Sequence, residues 1–387
     1  MRFAERIKSL GTETAFEVLA KAKALEAEGK EIIHLEIGEP DFDTPKNIKE
    51  SAIRALNEGY THYTPSAGLM KARETVARYI SQTRGIEVSP EEVVITPGGK
   101  PVMFFAILAL IDPGDEVIYP NPAYPIYESV VNFIGGKPVP IHLREENDFR
   151  LDTDELKAAV TPRTKMIIIN SPHNPTGGVL TKGDLEAIAD LAQRHDLWVL
   201  SDEIYSRIIY SGDHISIASL SGMKERTILL DGFSKTYAMT GWRLGYGVME
   251  VSLAVQIARL MTNCNSCTAS FTQMAGIEGL HGPQDEVERM VAEFKERREV
   301  IVEGLNSIPG ISCRLPRGAF YAFPNITAIG WDCKKLADSL LEEAGVAVLP
   351  GTSFGKYGDG YLRLSYANSV GNIRKGLERM RDFVTRI

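Results

Sequence analysis

Short apolar runs recur along the first three quarters of the chain, and each ends in a glycine, proline or polar turn. Examples are EVVITPGG, DEVIYPNP, TKMIIINSPHNP, LWVLSDEIY, TILLDGFSK and RLGYGV. Helix-length stretches separate these runs. Continuous apolar strands that alternate with helices are typical of a mostly parallel sheet covered on both faces. The pattern therefore predicts a large α/β domain over residues 46–284.

The segments on both sides of this region have a different pattern. Before it, residues 14–29 predict a first amphipathic helix, and after it, residues 285–308 predict a long charged helix. The runs GAFYAFPNI, AGVAVLPGTSFG and YLRLSYA come after it and indicate a smaller, strand-rich α+β unit. A chain of 387 residues is also long enough for two domains.

Composition and charge narrow the classes of function. The net charge of −8 argues against nucleic acid as the main partner, because phosphate backbones call for a basic face. No apolar run approaches the length of a membrane span and the N-terminus does not resemble a signal peptide, so we expect a cytoplasmic protein. Cys264 and Cys267 form a single CxxC without further ligands at metal spacing. Ordinary buried thiols are favoured over a redox or metal site.

A lysine and an arginine flank the turn after TILLDGFSK. Lys235 follows the buried run 227–230, and Arg243 opens the next strand-like run. Burial between strands would lower the lysine pKa, and a neutral amine is what Schiff-base chemistry requires. A guanidinium can hold a phosphate with its planar fork of donors. These two groups match the two ends of pyridoxal phosphate, although an ordinary surface lysine fits the same spacing.

The motif around Lys235 favours the cofactor. SKTYAMTGWRLG resembles the lysine signature of the class I/II aminotransferases, which are fold-type I pyridoxal-phosphate enzymes. The resemblance continues, in the family's order, through IGEPDFDTP, THYTPSAG, ITPGGKP, NPAYPIY, NSPHNPTGG, SDEIYS and YLRLSYA. It implies that residues 1–45 join the small domain, and that the segment 285–387 contains the connecting helix and the small C-terminal domain.

Several side chains match the family's contacts to the cofactor ring. Asp202 matches the aspartate that keeps the ring nitrogen protonated, and a carboxylate suits that role by charge. An aspartate that caps the next helix is the alternative. Tyr205 and Asn174 match the residues that contact the ring hydroxyl, and Tyr124 matches the aromatic residue that stacks on the ring. The resemblance thus implies the catalytic set Lys235, Asp202 and Tyr205.

The cofactor phosphate is expected at a glycine turn. TPGGKPVMFFAILAL is typical of such a turn before an apolar helix, so the amides of Gly99 and Lys100 would attract an anion. Arg243 would supply charge-assisted hydrogen bonds. One position departs from the family, because Gly232 stands where many relatives have a phosphate-binding serine. Ser234, next to the lysine, is the candidate replacement.

The resemblance also implies a substrate site and a shared active site. Arg363 matches the arginine that clamps the substrate α-carboxylate, and Gly38 would approach the same carboxylate through its backbone. Tyr124 and Asn174 are expected to contact the substrate too. Tyr63 matches a tyrosine that reaches the phosphate of the partner's cofactor, which implies a homodimer with shared active sites.

The function implied is amino transfer from an L-amino acid to a 2-oxo acid by a ping-pong mechanism, with Lys235 as the general acid/base. Aspartate with 2-oxoglutarate is the leading substrate pair, and aromatic amino acids or alanine could replace aspartate. A C–S lyase with the same machinery and a ligand-sensing regulator with this fold are two further candidate functions. The partners expected are small molecules and a second copy of the chain, without nucleic acid, membrane or metal.

Overall fold

The computed structural model describes residues 2–387, in which helices and strands alternate through most of the chain. The helices are α1 Thr14–Ala27, α2 Lys46–Asn57, α3 Met70–Arg84, α4 Lys100–Leu110, α5 Ile126–Phe133, α6 Thr153–Ala159, α7 Lys182–Arg194, α8 Val251–Cys264, α9 Ser270–His281, α10 Asp285–Asn306, α11 Cys333–Ala344 and α12 Val370–Arg386. The strands are β1 Ile33–His34, β2 Val93–Thr96, β3 Glu116–Asn121, β4 Lys137–His142, β5 Thr164–Asn170, β6 Trp198–Asp202, β7 Thr227–Gly232, β8 Gly245–Val248, β9 Tyr321–Ala322, β10 Val346–Ala347, β11 Leu349–Pro350 and β12 Leu362–Ser365.

Seven strands form the central sheet in the order β2-β8-β7-β6-β5-β3-β4. All neighbours in this sheet are parallel except β8, which runs antiparallel to both β2 and β7. Every residue of β3, β7 and β8 is buried. The predicted α/β class with a mostly parallel sheet is therefore confirmed.

Alternate residues of the central strands pack against helices on opposite faces of the sheet. In β5, Met166 and Ile168 join the apolar cluster that contains α4, α5 and α8. Ile167 and Ile169 join the cluster that contains α6 and α7. This two-residue period is the reason why the strand sequences are apolar throughout, since both faces are covered.

The remaining strands form two small sheets. Strand β1 pairs in parallel with β10, and β11, β12 and β9 form an antiparallel sheet. Helices α10, α11 and α12 pack around these strands in an apolar cluster that also includes Tyr205 and Ile208. The N-terminal segment thus contacts the C-terminal third of the chain directly. Helix α10 ends at Asn306, two residues before the predicted boundary, and α1 ends at Ala27 instead of residue 29.

Two further expectations concern membrane spans and cysteines. No helix within residues 2–387 combines the length and the apolar character that crossing a membrane requires. The four cysteines are free thiols, but the expectation of buried thiols is wrong for Cys264, which is exposed, and holds only partly for Cys267. Cys264 is the last residue of α8.

Candidate active site

A cavity of about 530 Å³ lies where the large sheet meets the small sheets. Eleven of the twelve site residues predicted from the sequence line it: Gly38, Gly99, Lys100, Tyr124, Asn174, Asp202, Tyr205, Ser234, Lys235, Arg243 and Arg363. Tyr63 does not line this cavity, and it is 89% exposed on the surface of the chain.

The topology of the sheet explains why residues distant in sequence converge. Asn170 ends β5 and Asp202 ends the neighbouring strand β6, while Lys235 lies three residues beyond the end of β7. Carboxyl ends of adjacent parallel strands lie at the same edge of a sheet, where ligands bind in open α/β folds. Residues from the small sheets complete the cavity, and Arg363 of β12 is one of them.

The amine of Lys235 loses its proton more readily than an ordinary lysine, because its pKa is lowered. Its Nζ donates a hydrogen bond of 2.5 Å to the carbonyl of Gly38 and lies 5.9 Å from the centre of the Phe320 ring. Burial lowers the pKa of Lys235 from 10.5 to about 8. At pH 7 about 9% of the molecules therefore have a neutral, nucleophilic amine at this position.

Asp202 is held in one orientation in the wall of the same cavity. Its carboxylate accepts hydrogen bonds from the hydroxyl of Tyr127 at 2.6 Å and from the amide of Ile204 at 3.2 Å. The amide side chain of Asn170 donates to the Asp202 carbonyl at 2.9 Å. Burial raises the pKa of Asp202 to about 6, so the group is still mostly an anion at pH 7. A fixed carboxylate of this kind can hold a protonated ring nitrogen.

Arg363 is a buried cation with a free donor. One of its Nη atoms donates to the side-chain oxygen of Asn174 at 3.5 Å and the other donates to the Glu36 carbonyl. Its guanidinium packs on the rings of Tyr321 and Phe354, at 4.6 and 5.0 Å from the ring centres. Its Nε, although buried, has no hydrogen-bond partner. A buried cation with an unused donor that lines a cavity is suited to bind a carboxylate.

The anion-binding end of the cavity is built around a glycine turn. Gly99 is the N-cap of α4, so the first amides of that helix face the cavity. Gly98 has a φ of +89°, and a Cβ there would clash with the guanidinium of Arg243. The arginine thus lies against the turn, and a phosphate can be held by amides and guanidinium together.

The structure gives a physical reason for the departure at Gly232. A Cβ at this position would lie 3.0 Å from the Cα of Gly245 and 3.3 Å from the Leu244 carbonyl. The close approach of β7 and β8 therefore leaves little space for a serine. Ser234, in contrast, lines the cavity together with Arg243.

These groups form a donor set that fits pyridoxal phosphate. Amides and a guanidinium suit the phosphate, Lys235 suits the aldehyde, and Asp202 suits the ring nitrogen. Tyr205 lines the same cavity, and its hydroxyl is hydrogen-bonded to that of Tyr321 at 2.7 Å.

The sequence reasoning missed four side chains at this site: Glu13, Tyr127, Asn170 and Tyr321. Tyr127 and Tyr321 stand in the strings NPAYPIY and GAFYAFPNI, and Asn170 ends an apolar run, so all three carried a local signal. Glu13 precedes α1 and carries no such signal, because only the folded chain places it in the cavity.

The similarity to known proteins covers nearly the whole chain. Residues 30–380 match the family described as aminotransferase class I and II. The aspartate aminotransferase of Pyrococcus horikoshii is 43% identical over 97% of this chain and 96% of its own length. The aromatic-amino-acid aminotransferase 2 of Thermococcus litoralis is 43% identical over 90% of each chain. A solved structure, the aspartate aminotransferase from Thermus thermophilus with maleate, has a TM-score of 0.95 at 39% identity, with 99% of this chain and 100% of that chain covered.

The fold, the donor set of the cavity and these similarities agree. The match to the family spans both the large sheet and the small sheets that enclose the cavity. This chain therefore belongs to the class I and II aminotransferases, and it is a pyridoxal-phosphate-dependent aminotransferase.

Proposed function

We propose that this enzyme transfers the amino group of an acidic amino acid, aspartate foremost, to 2-oxoglutarate. The main support for an acidic substrate is that the cations Lys100 and Arg363 line one cavity. A dicarboxylic substrate needs one cation for its α-carboxylate and another for its side-chain carboxylate. The relative from Pyrococcus horikoshii is named an aspartate aminotransferase, and the Thermus thermophilus structure contains maleate, a dicarboxylate.

The cofactor would be held from its phosphate to its ring nitrogen. The amides of Gly99 and Lys100, the guanidinium of Arg243 and the hydroxyl of Ser234 would bind the phosphate. The family match and the placement of these residues around one turn support this assignment. When bound, pyridoxal phosphate supplies an aldehyde for amines and a protonated ring that withdraws electrons from the substrate α-carbon.

The ring would be positioned by side chains from both sheets. The Asp202 carboxylate would hold the proton of the ring nitrogen, and Asn174 and Tyr205 would donate hydrogen bonds to the ring hydroxyl oxygen. The Tyr124 ring would stack on the pyridine ring. Tyr127 would act through Asp202, because its hydroxyl fixes the carboxylate orientation.

Lys235 would carry the proton during catalysis. Its pKa of about 8 allows Nζ to remove the proton from the substrate α-carbon and to return it at the cofactor's exocyclic carbon. Arg363 would clamp the α-carboxylate bidentately, with its unpartnered Nε as one donor. The same residues would serve the second substrate, since both halves of the reaction use one site, which implies ping-pong kinetics.

A panel of amino donors with 2-oxoglutarate tests this proposal. Aspartate should give the largest kcat/KM, and Lys100→Met should reduce it by about 10-fold to 100-fold for aspartate while alanine is affected far less. Equal losses for both donors would contradict the assignment of Lys100. Release of ammonia and pyruvate without a 2-oxo acid would indicate a lyase instead.

Aromatic amino acids are the second candidate. Phe16, Phe354 and Tyr124 line the cavity, and Lys100 is already paired with the carboxylate of Glu13. A neutral, partly aromatic wall can accept an uncharged side chain. The relative from Thermococcus litoralis is named for aromatic substrates.

We also propose a homodimer in which Tyr63 reaches the partner's cofactor phosphate. The 89% exposure of this tyrosine, together with exposed Ile53, Leu56 and Met70, supports a covered surface in the dimer. The pairing of β1 with β10, and the apolar cluster in which most residues come from the C-terminal third, support our proposed division into 1–45, 46–284 and 285–387. The cytoplasmic location stays a prediction.

A further inference from the structure

The active-site cavity contains a carboxylate that the proposed reaction does not use. Glu13 is the N-cap residue of α1, yet its side chain makes no capping hydrogen bond to that helix. The carboxylate is turned into the cavity instead, and the side chain is only 19% exposed. Glutamate at an N-cap ordinarily faces the free amides of the helix or the solvent. The orientation of Glu13 therefore calls for an explanation from its cavity partners.

Those partners are the groups that an incoming side-chain carboxylate would use. A single oxygen, Oε1 of Glu13, accepts from Nζ of Lys100 and from the hydroxyl of Tyr124, the latter at 2.9 Å. Tyr124 is half-buried, and Nζ of Lys100 lies 5.7 Å from the centre of its ring. Glu13 thus occupies the position of an anionic ligand on Lys100.

The charge of Glu13 also extends to the rest of the site. Burial dominates the lowered pKa of Lys235, and the Glu13 carboxylate acts on it in the opposite direction. Burial likewise lowers the pKa of Arg363, and Glu13 again opposes it. The Glu13 carboxylate thus acts electrostatically on both Lys235 and Arg363, as expected for a group within the substrate cavity.

We propose that Glu13 is a specificity-determining residue, an internal carboxylate that neutralises Lys100 for uncharged substrates and is displaced by substrates with a side-chain carboxylate. The inference rests on the proposed function of Lys100 as the distal cation. With an aromatic or small apolar side chain in the site, the Glu13–Lys100 pair stays closed and leaves no unpaired charge against that side chain. With a dicarboxylate, the substrate oxygen replaces Oε1 of Glu13 on the ammonium, and rotation of the glutamate side chain toward the open cavity mouth accommodates it.

Displacement has a measurable consequence for affinity. A dicarboxylate must break the contacts of Glu13 with Lys100 and Tyr124 before it binds, whereas a monocarboxylate does not. Removal of the glutamate charge should therefore strengthen dicarboxylate binding by about fivefold to twentyfold, toward the low end for a charge-assisted hydrogen bond, because the Lys100 side chain is 48% exposed and solvent screens the pair. Binding of an uncharged-side-chain analogue should stay constant or weaken, because Lys100 is left unpaired beside it.

The experiment is a spectroscopic titration of the holoenzyme with two unreactive inhibitors. Maleate represents dicarboxylic substrates and 3-phenylpropionate represents aromatic ones, and the change in cofactor absorbance gives each dissociation constant. The variant is Glu13→Gln, which keeps the size and the hydrogen-bonding oxygen but removes the charge. The matched control is Glu17→Gln, which removes the same charge from an exposed position in the first turn of α1.

We expect Glu13→Gln to bind maleate about fivefold to twentyfold more tightly without tightening 3-phenylpropionate, and Glu17→Gln to match wild type. Tightening of both inhibitors by the same factor would show a general effect of charge and overturn the proposal, as would an unchanged maleate constant. If Glu13→Gln does not retain the cofactor spectrum, Glu13→Asp replaces it, because the side chain shorter by one methylene weakens the contacts with Lys100 and Tyr124, and maleate should again bind more tightly while 3-phenylpropionate does not.

A third variant separates this inference from the function on which it rests. Lys100→Met should weaken maleate binding and leave 3-phenylpropionate almost unchanged. If Lys100→Met has no effect on maleate, the assignment of the distal cation fails and this inference fails with it. If Lys100→Met weakens maleate but Glu13→Gln does not strengthen it, the inference about Glu13 alone is wrong.

Discussion

The amine of Lys235 should titrate far below an ordinary lysine in the cofactor-free enzyme. Burial lowers its pKa from 10.5 to about 8, a change that corresponds to about 3 kcal/mol at 1.36 kcal/mol per pKa unit. At pH 7 a group with a pKa near 8 is neutral in about 9% of molecules, against about 0.03% for a pKa of 10.5. The neutral amine should therefore be roughly 300-fold more abundant than in a solvated lysine.

Competitive acetylation measures this quantity directly. Trace acetic anhydride reacts with neutral amines, and mass spectrometry gives the labelling of each lysine from pH 6 to 11. Lys182, whose side chain is 67% exposed, serves as the reference in the same sample. Labelling of Lys235 should reach half of its maximum near pH 8 and level off by about pH 9.5. A Lys235 labelling profile that still rises above pH 10 would refute the reasoning.

The same pKa predicts how stability depends on pH. Because the folded pKa lies below the unfolded pKa, the unfolded chain binds more protons between about pH 8 and 10.5. The cost of burying the Lys235 ammonium is therefore fully present below pH 8 and disappears as the pH rises toward 10.5. Lys235→Met should stabilise the cofactor-free protein at pH 7 by up to about 3 kcal/mol, less the lost hydrogen bond to Gly38, and the gain should vanish at pH 10.5. Denaturant unfolding at both pH values measures it.

Four more predictions test the active site, the proposed dimer and a buried carboxylate of the large domain. Asp202→Asn should retain the cofactor, seen by absorbance, but slow the half-reaction with an amino acid by about 100-fold or more, because the ring nitrogen loses its anionic partner; a rate near wild type would contradict this role. Arg363→Lys should raise the KM of acidic and aromatic donors by a similar factor of about 30 to 100, since both carry an α-carboxylate and lysine lacks the bidentate fork; an effect on only one donor class would place the arginine elsewhere. A hybrid dimer of Lys235→Ala and Tyr63→Ala chains should regain about half of the wild-type activity if sites are shared, provided that the Tyr63→Ala homodimer is itself impaired; activity no higher than that of the better parent would exclude sharing. The buried carboxylate of Glu203, which follows β6, accepts hydrogen bonds from the side chains of Arg84, Ser201, His214 and Ser216. Glu203→Gln should therefore lower the free energy of unfolding by about 3–5 kcal/mol; a value within about 1 kcal/mol of wild type, measured by chemical denaturation, would show that these four donors tolerate a neutral side chain.

Much of the architecture can be predicted from short stretches of the sequence. In TKMIIIN the four consecutive residues 166–169 are apolar and buried, as a strand covered on both faces requires. The turn residues at the ends of these runs then locate the ligand edge of the sheet. For this reason the sequence alone places Asn174, Asp202 and Lys235 together. Strands β5 and β6 are joined through α7, whereas the segment 203–226 between β6 and β7 has only two short 3-10 helices.

The tertiary structure alone decided three other features. Gly232 lies against Gly245 of the antiparallel strand β8, and this backbone contact limits the space for the serine of other family members. Tyr321 reaches Tyr205 and Arg363 across more than 40 residues in either direction. No local sequence pattern predicts these contacts, because each depends on how segments distant in the sequence pack together.

The third feature, Glu13, shows the physical limit most clearly. An acidic residue before a helix ordinarily satisfies free amides or faces water, and nothing in the neighbouring sequence distinguishes this glutamate from that case. Its carboxylate meets Lys100 and Tyr124, which follow 87 and 111 residues later, only after α1 docks against the small sheets. The sequence by itself determined the fold, the cofactor and the residues at the strand ends. The pairing of the Glu13 and Lys100 charges in the cavity was decided by tertiary packing, because no local pattern brings these two side chains together.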